Sequence, residues 1–240
     1  MSDFERRVAA LAQFRVPDPA RPVLSPDDDR HLRAVLRARA GEEIVVSDGR
    51  GRWRLCVVTT DGVEPVTDVA EDPEPVASAL YLAPLKGDRT EWALVKAVEL
   101  GVTDVTPLLT ARAAVRWRPE ARTRVLARWR RLANEAAGQC RRTHDLVIHE
   151  PVGVADVPAE VAVADVGGSP DWRGVHAVAV GPEGGWGGDE WSPSRRRVSL
   201  GPLVLRAETA AVAAATLLGA LGSTWGWRDG DARIDNDEWR

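Results

Sequence analysis

The sequence predicts an α/β protein: a mainly parallel sheet with helices, preceded by a small β-rich domain. Two observations carry this. From residue 79 onward, apolar runs alternate with helical segments, which is the pattern of strands joined by crossover helices. Before residue 72 the chain reads instead as short β-rich runs around glycine-containing turns.

In chain order, Leu32, Val35 and Leu36 recur at helical spacing within 26–39. Ser25 is a suitable N-cap and Gly41 a suitable stop. The stretch 44–58, IVVSDGRGRWRLCVV, reads as two strands around Asp48-Gly49, with a loop lengthened to Gly51. Residues 71–78, EDPEPVAS, are acidic, contain two prolines and form the best linker in the chain. The predicted division is therefore 1–72, 73–226 and a polar tail over 227–240. Beyond the linker come an apolar run at 79–83, an amphipathic helix over 90–100 ended by Gly101, and a strand over 102–109. An Arg-rich helix is predicted over 119–137, then apolar runs at 161–166, 175–180 and 198–200. The Ala- and Leu-rich run 207–221 is strongly helical and, having few polar positions, needs burial on most sides.

Composition excludes several classes. No run approaches the ~20 apolar residues of a membrane helix, and the charged N-terminus lacks a signal-peptide pattern, so a cytoplasmic protein without membrane partners is expected. The two cysteines, Cys56 and Cys140, and the four histidines show no metal-ligand spacing, so no metal is expected. The net charge is −4, yet between Arg112 and Arg142 ten arginines face two acids. That segment is either an RNA-binding surface or a solvated helix face. Trp117 and Trp129 within it either stack on bases or anchor a core.

The three late apolar runs end alike, in Gly167-Gly168-Ser169, in Gly181-Pro182-Glu183-Gly184-Gly185 and in Gly201-Pro202. In open parallel sheets ligands bind beyond the carboxyl ends of strands, where glycine lets main chain approach a ligand. One pocket lined largely by backbone is expected. Neither G-x-G-x-x-G, nor a Walker A loop, nor G-x-S-x-G occurs there.

GPEGGW at 181–186, followed by Asp189-Glu190, and LGPLVLRAETAA at 200–211 resemble the signature of the ribosomal RNA small subunit methyltransferase E family. LKGDRTEWALVKAVELGV at 85–102 is similar to that family's first helical segment, as are HLRAVLR (31–37), Gly41 and DGRG (48–51) to its PUA-like β-barrel. The chain departs from the family pattern at Leu203, in place of Arg, and at Gly138, in place of Glu.

The resemblance implies a SPOUT-type trefoil-knotted sheet, an S-adenosylmethionine cofactor, and methylation of ring nitrogen 3 of a uridine in 16S ribosomal RNA. Its partners would be small-subunit RNA or the assembled 30S subunit, and a second copy of the chain in a homodimer. A related enzyme acting on transfer RNA and a non-catalytic RNA-binding module are the alternatives. Implied cofactor contacts are Val166, Gly167, Gly181, Pro182, Glu183, Gly184, Gly185, Leu200, Gly201, Leu205, Glu208 and Thr209. Glu183 either touches the substrate or fixes its own loop. Arg206 is the candidate catalytic cation; otherwise it pairs with Glu208 or a carbonyl. Arg15, Arg37, Arg112, Arg116, Arg141 and Arg142 are the candidate RNA contacts.

Overall fold

The computed structural model describes residues 2–113, 115 and 117–221. Arg116 and the tail 227–240 lie outside these residues. The chain forms two compact units: residues 1–75 with 130–146, and residues 76–129 with 147–240. Compactness thus divides the chain less simply than its linker suggests, because the segment 130–146 returns to the first unit.

The first unit opens with α1 (Asp3–Ala9), started by a capping box between Ser2 and Glu5. There follow β1 (Gln13–Arg15), α2 (Pro26–Arg30), β2 (Glu43–Ser47), β3 (Arg52–Val58), β4 (Val63–Pro65) and β5 (Ala70–Glu71). β1 pairs parallel with β2, and β3 pairs antiparallel with β2, β4 and β5. Ser25 caps α2, its hydroxyl accepting from the Asp28 N–H at 3.1 Å. The helical segment then widens into a π-turn over His31–Val35 and stops before the expected Gly41, because Arg37 itself turns to φ 54°. The β2–β3 turn forms where expected, closed by Asp48 Oδ1, which accepts from the N–H groups of Arg50 and Arg52. Alternate residues of these strands bury Ile44, Val46, Cys56 and Val58 against Phe14 and Leu32. Burial pushes the Cys56 thiol up to about 11, so it packs as an inert apolar group.

The supposed linker starts late. Its first two residues are tied to this unit by Glu71, paired opposite Arg52, and by Asp72. The Asp72 carboxylate accepts from Arg7 Nη1 at 2.5 Å, Thr143 Oγ1 at 2.7 Å and Trp53 Nε1 at 2.9 Å. The Arg7 guanidinium lies 4.5 Å from the centre of the Trp53 ring.

The second unit contains β6 (Ala79–Leu82), α3 (Arg89–Glu99) and β7 (Asp104–Leu109). α4 (Pro119–Gln139) runs on from it into the segment that joins the first unit. Then come β8 (Val147–Ile148), β9 (Val152–Gly153), β10 (Ala162–Ser169), β11 (Ala177–Val180), β12 (Arg197–Val198) and α5 (Ala207–Leu221). The sheet order is β12-β10-β11-β6-β7-β8, with β9 also on β7, and every described pairing is parallel. The mainly parallel sheet with helices is therefore present. Chain direction along the sheet reverses between β6 and β11, which makes their carboxyl ends a switch point of the kind that binds ligands. α5 packs on α3 and on strands β6 and β11, and its Ala211, Ala214, Ala215 and Leu218 are all buried, as its apolar sequence requires.

One expected loop is in fact strand. Gly167, Gly168 and Ser169 belong to β10, whose register against β12 shifts between Ala164 and Ser169. A Cβ on Gly168 would lie 2.3 Å from the Val198 carbonyl carbon, so only glycine permits this close approach of the two strands. Among the described residues no helix is long and apolar enough to cross a membrane, and no cluster of His, Cys, Asp or Glu could hold a metal.

Asp72 generates a test of the first unit. Burial alone would raise its pKa, but the hydrogen bonds from Thr143, Arg7 and Trp53 outweigh it and hold the carboxyl below its ordinary 3.8. The stability it contributes is present above that value and is lost as pH falls through the lower folded-state value. Asp72→Ala is expected to destabilise this unit by about 3 kcal/mol, since it orphans the buried Arg7 guanidinium. It should also flatten the acid limb of a urea-melt series; an unchanged limb would remove Asp72 from this role.

Candidate active site

A cavity of about 510 Å³ opens at the carboxyl ends of β10, β11 and β12, within the second unit. That volume falls in the roughly 300–1,000 Å³ range of small-molecule sites. Ala164, Asp165 and Val166 of β10 form one wall, and the loop after β11 forms another. The segment 200–206 and the first turn of α5 close it, with Arg89 at the start of α3 on the rim.

The loop after β11 has little side chain of its own, so contacts from outside fix it. Trp186 Nε1 donates to the Ala164 carbonyl at 2.9 Å, and its ring meets Trp191 edge-on at 5.2 Å. Gly181 sits under that ring: a Cβ there would be 3.1 Å from the indole. Glu190 accepts from the N–H groups of Ala111 at 2.5 Å and Gly187 at 2.8 Å. Arg112 Nη1 donates to the Gly184 carbonyl at 3.2 Å. Glu183 accepts from the Lys86 N–H at 3.3 Å and lies 3.5 Å from Arg89 Nη1, so it ties its loop to the one before α3.

Of the residues singled out in the sequence, Val166, Gly181, Pro182, Glu183, Gly185, Leu200, Gly201, Leu205 and Arg206 come together on this cavity. Four do not line it. Gly167 is an exposed strand residue, Gly184 is packed against Arg112, and Thr209 is exposed on α5. Glu208 turns to Arg89, with 3.8 Å between Oε1 and Nε, and its Oε2 is buried without a hydrogen-bond partner. The Arg206 side chain therefore does not pair with Glu208. It is exposed and makes no hydrogen bond or ion pair among the described residues.

Leu203 and Val204, within the LGPLVLRAETAA motif, also line the cavity, as do Arg89, Asp165 and Trp186, which were not among the candidate site residues. Asp165 had a readable signal, a carboxylate near the end of an otherwise apolar strand. Arg89 had none, because only the fold brings α3 to this rim.

The candidate RNA arginines separate. Arg141 spends its guanidinium on the carbonyls of Arg7, Gly138 and Ala10, and burial lowers its proton affinity. Arg15 pairs with Asp145 and donates to the Arg142 carbonyl, while Arg142 Nε donates to the His144 carbonyl. These three serve the first unit's own structure. Arg37 is exposed with no partner among the described residues, and Arg112 is exposed but engaged with Gly184. Trp129 is buried and meets Trp117 edge-on at 5.1 Å, so this pair anchors a core.

A cavity at parallel strand ends, in a unit joined to a small β domain, has counterparts among known proteins. Residues 72–219 match the model of the RNA methyltransferase domain, and residues 24–62 that of the RNA methyltransferase PUA domain. The protein is thus an RNA methyltransferase of the PUA-bearing class. It is 32% identical to the ribosomal RNA small subunit methyltransferase E of Mycobacterium bovis, over 85% of this chain and 87% of that one. The same enzyme of Synechocystis is 32% identical over 80% of this chain and 70% of that one. The chain belongs to the ribosomal RNA small subunit methyltransferase E family. Among solved structures, a Legionella pneumophila protein in complex with S-adenosylmethionine is 29% identical, with a TM-score of 0.74 over 87% of this chain and 96% of that one. The Neisseria gonorrhoeae family member, bound to S-adenosylmethionine, is 27% identical, with a TM-score of 0.72 over 88% and 97%.

Glu190 offers a direct check on the loop. Glu190→Ala is expected to raise amide hydrogen exchange at Gly187 and Ala111 by roughly tenfold, the worth of a typical hydrogen bond. Exchange at the wild-type rate would show that the loop is held by its other contacts.

Proposed function

We propose that this protein methylates ring nitrogen 3 of a uridine in small-subunit ribosomal RNA, with S-adenosylmethionine held in the cavity of the second unit. The observation that carries the proposal is Arg206, a cation unpaired among the described residues on the rim of a cavity whose other charged side chains are paired. The cavity suits the cofactor. Trp186, Val180, Leu200 and Leu205 offer an apolar bed for a flat base. The N–H groups of Leu203, Val204 and Leu205 make no hydrogen bond to another described residue and are available as donors.

When bound, the cofactor supplies an electrophilic methyl group on sulfur. The protein's part is to hold the uracil in its deprotonated form. Arg206 faces the uracil oxygens and stabilises the negative charge that develops as the N3 proton leaves. A cation at the first turn of a helix opposes the helix dipole by roughly 0.3–1 kcal/mol. Among the described residues no carboxylate offsets this for Arg206, which leaves it free for an anionic base. Glu183 and Asp165, the carboxylates on the cavity, are each engaged by an arginine, so solvent takes the proton.

Exposed Arg37 of the first unit supplies a phosphate contact. Val166, Leu203 and Val204, exposed beside the cavity, form part of a homodimer surface. Action on ribosomal RNA places the protein in the cytoplasm.

The test is transfer of radiolabelled methyl to small ribosomal subunits lacking their own uridine methylation, with transfer RNA in parallel. Label at nitrogen 3 of one uridine in the subunit RNA is expected. Label only in transfer RNA overturns the substrate; cofactor binding without label in either overturns the activity in favour of an RNA-binding module. Arg206→Ala is expected to lower kcat by about 10²–10³ while S-adenosylhomocysteine binds within a few fold of wild type. Methyl transfer at the wild-type rate by the folded variant would remove Arg206 from catalysis.

A further inference from the structure

Asp165 is the one cavity carboxylate that the glycine loops do not use. Its Oδ2 accepts from Arg197 Nη1 at 2.5 Å, while its Oδ1 accepts no hydrogen bond among the described residues. Both side chains are 35% exposed, and Asp165 lines the cavity while Arg197 stands behind it, outside the lining. Both are also mounted on strands: β10 carries Asp165 and the neighbouring β12 carries Arg197, with Val163 opposite Arg197 in the ladder. A carboxylate held on one oxygen by a planar guanidinium on a rigid element is oriented, and its second oxygen keeps full acceptor capacity.

We propose that Asp165, positioned by Arg197, accepts a hydrogen bond from a ribose hydroxyl of the cofactor's nucleoside half. The inference rests on the cofactor reading above. Its physical basis is charge. Arg197 cancels the field of Asp165 without consuming its second oxygen, which suits a neutral donor and not a cation. An uncompensated carboxylate would instead attract the cofactor's ammonium or sulfonium. Near the sulfonium it would be counterproductive, because that positive charge disappears as the methyl group leaves. The ground state would then be stabilised more than the transition state. The pairing with Arg197 avoids this while retaining recognition of the nucleoside.

The experiment measures binding by calorimetry with S-adenosylhomocysteine, 5′-methylthioadenosine, and the 2′-deoxy and 3′-deoxy forms of the latter. Asp165→Ala is expected to weaken S-adenosylhomocysteine and 5′-methylthioadenosine by the same factor, roughly 10–100-fold for a charge-assisted hydrogen bond. It should also abolish the wild-type preference for 5′-methylthioadenosine over at least one deoxy form. Asp165→Asn, which keeps an acceptor oxygen and the side-chain shape, should recover part of the loss. Weakened S-adenosylhomocysteine with unchanged 5′-methylthioadenosine overturns the proposal in favour of the amino-acid half; unchanged binding of both, or persistent deoxy discrimination, overturns it outright. Arg197→Ala is expected to raise the preference for S-adenosylmethionine over S-adenosylhomocysteine several-fold, by exposing the carboxylate's charge to the sulfonium. An unchanged ratio removes Arg197 from the positioning role. Wild-type protein that binds neither S-adenosylhomocysteine nor 5′-methylthioadenosine would instead refute the cofactor reading itself.

Discussion

The hydrogen bond from the Trp186 indole to the Ala164 carbonyl is the tie on which the active site depends. The three glycines of Gly-Pro-Glu-Gly-Gly lose more conformational entropy on ordering than other residues would, and the loop has few side chains with which to offset that loss. Trp186 supplies what the glycines lack. Its ring covers Gly181 and meets Trp191, and its N–H joins the end of β11 to the wall formed by β10. Glu190 and Arg112 add further ties, each worth about 1 kcal/mol. The cavity can therefore present main chain to a ligand and still be preorganised.

The arrangement of charge follows from the same economy of side chains. Arg89 sits between Glu183 and Glu208, and Arg197 sits on Asp165, so the acids near the cavity are balanced before any ligand arrives. Arg206 is the exception: its side chain has no partner among the described residues. Of the 32 basic residues only Lys86 and Lys96 are lysines, and this preference for arginine has a structural side. Arg195 donates to the carbonyls of Val157 and Pro158, Arg54 to those of Thr67, Pro19 and Ala20, and Arg141 to three more. A guanidinium, with five donors in a plane, can satisfy several carbonyls at once, which the single ammonium of lysine does less well. These three arginines thus stabilise loops and helix ends of the protein itself.

The first unit shows the same use of a single acid. Asp72 gathers Arg7, Trp53 and Thr143, residues far apart in sequence, and so holds the start of the interdomain stretch and the returning segment together. Proline and acid content made residues 71–78 look like free linker. Local composition has no means of registering three donors that converge on one carboxylate.

By itself the sequence determined the features that local chemistry controls. The Ser25 cap, the Asp48-Gly49 turn, the helix ending before Gly101 and the alternation behind the parallel sheet all follow from spacing and backbone preference. The strand-end glycines of GPEGG and LGP likewise located most of the cavity. Only the tertiary structure decided the rest, because it depended on contacts between distant segments. Gly167 and Gly168 became strand because β12 approaches the backbone there. Arg15 and Arg141 became internal ties because carbonyls and Asp145 from elsewhere in the chain meet them. Arg89 and Asp165 joined the site because α3 and β10 converge on its rim, and Arg206 has no partner among the described residues while Glu208 turns to Arg89.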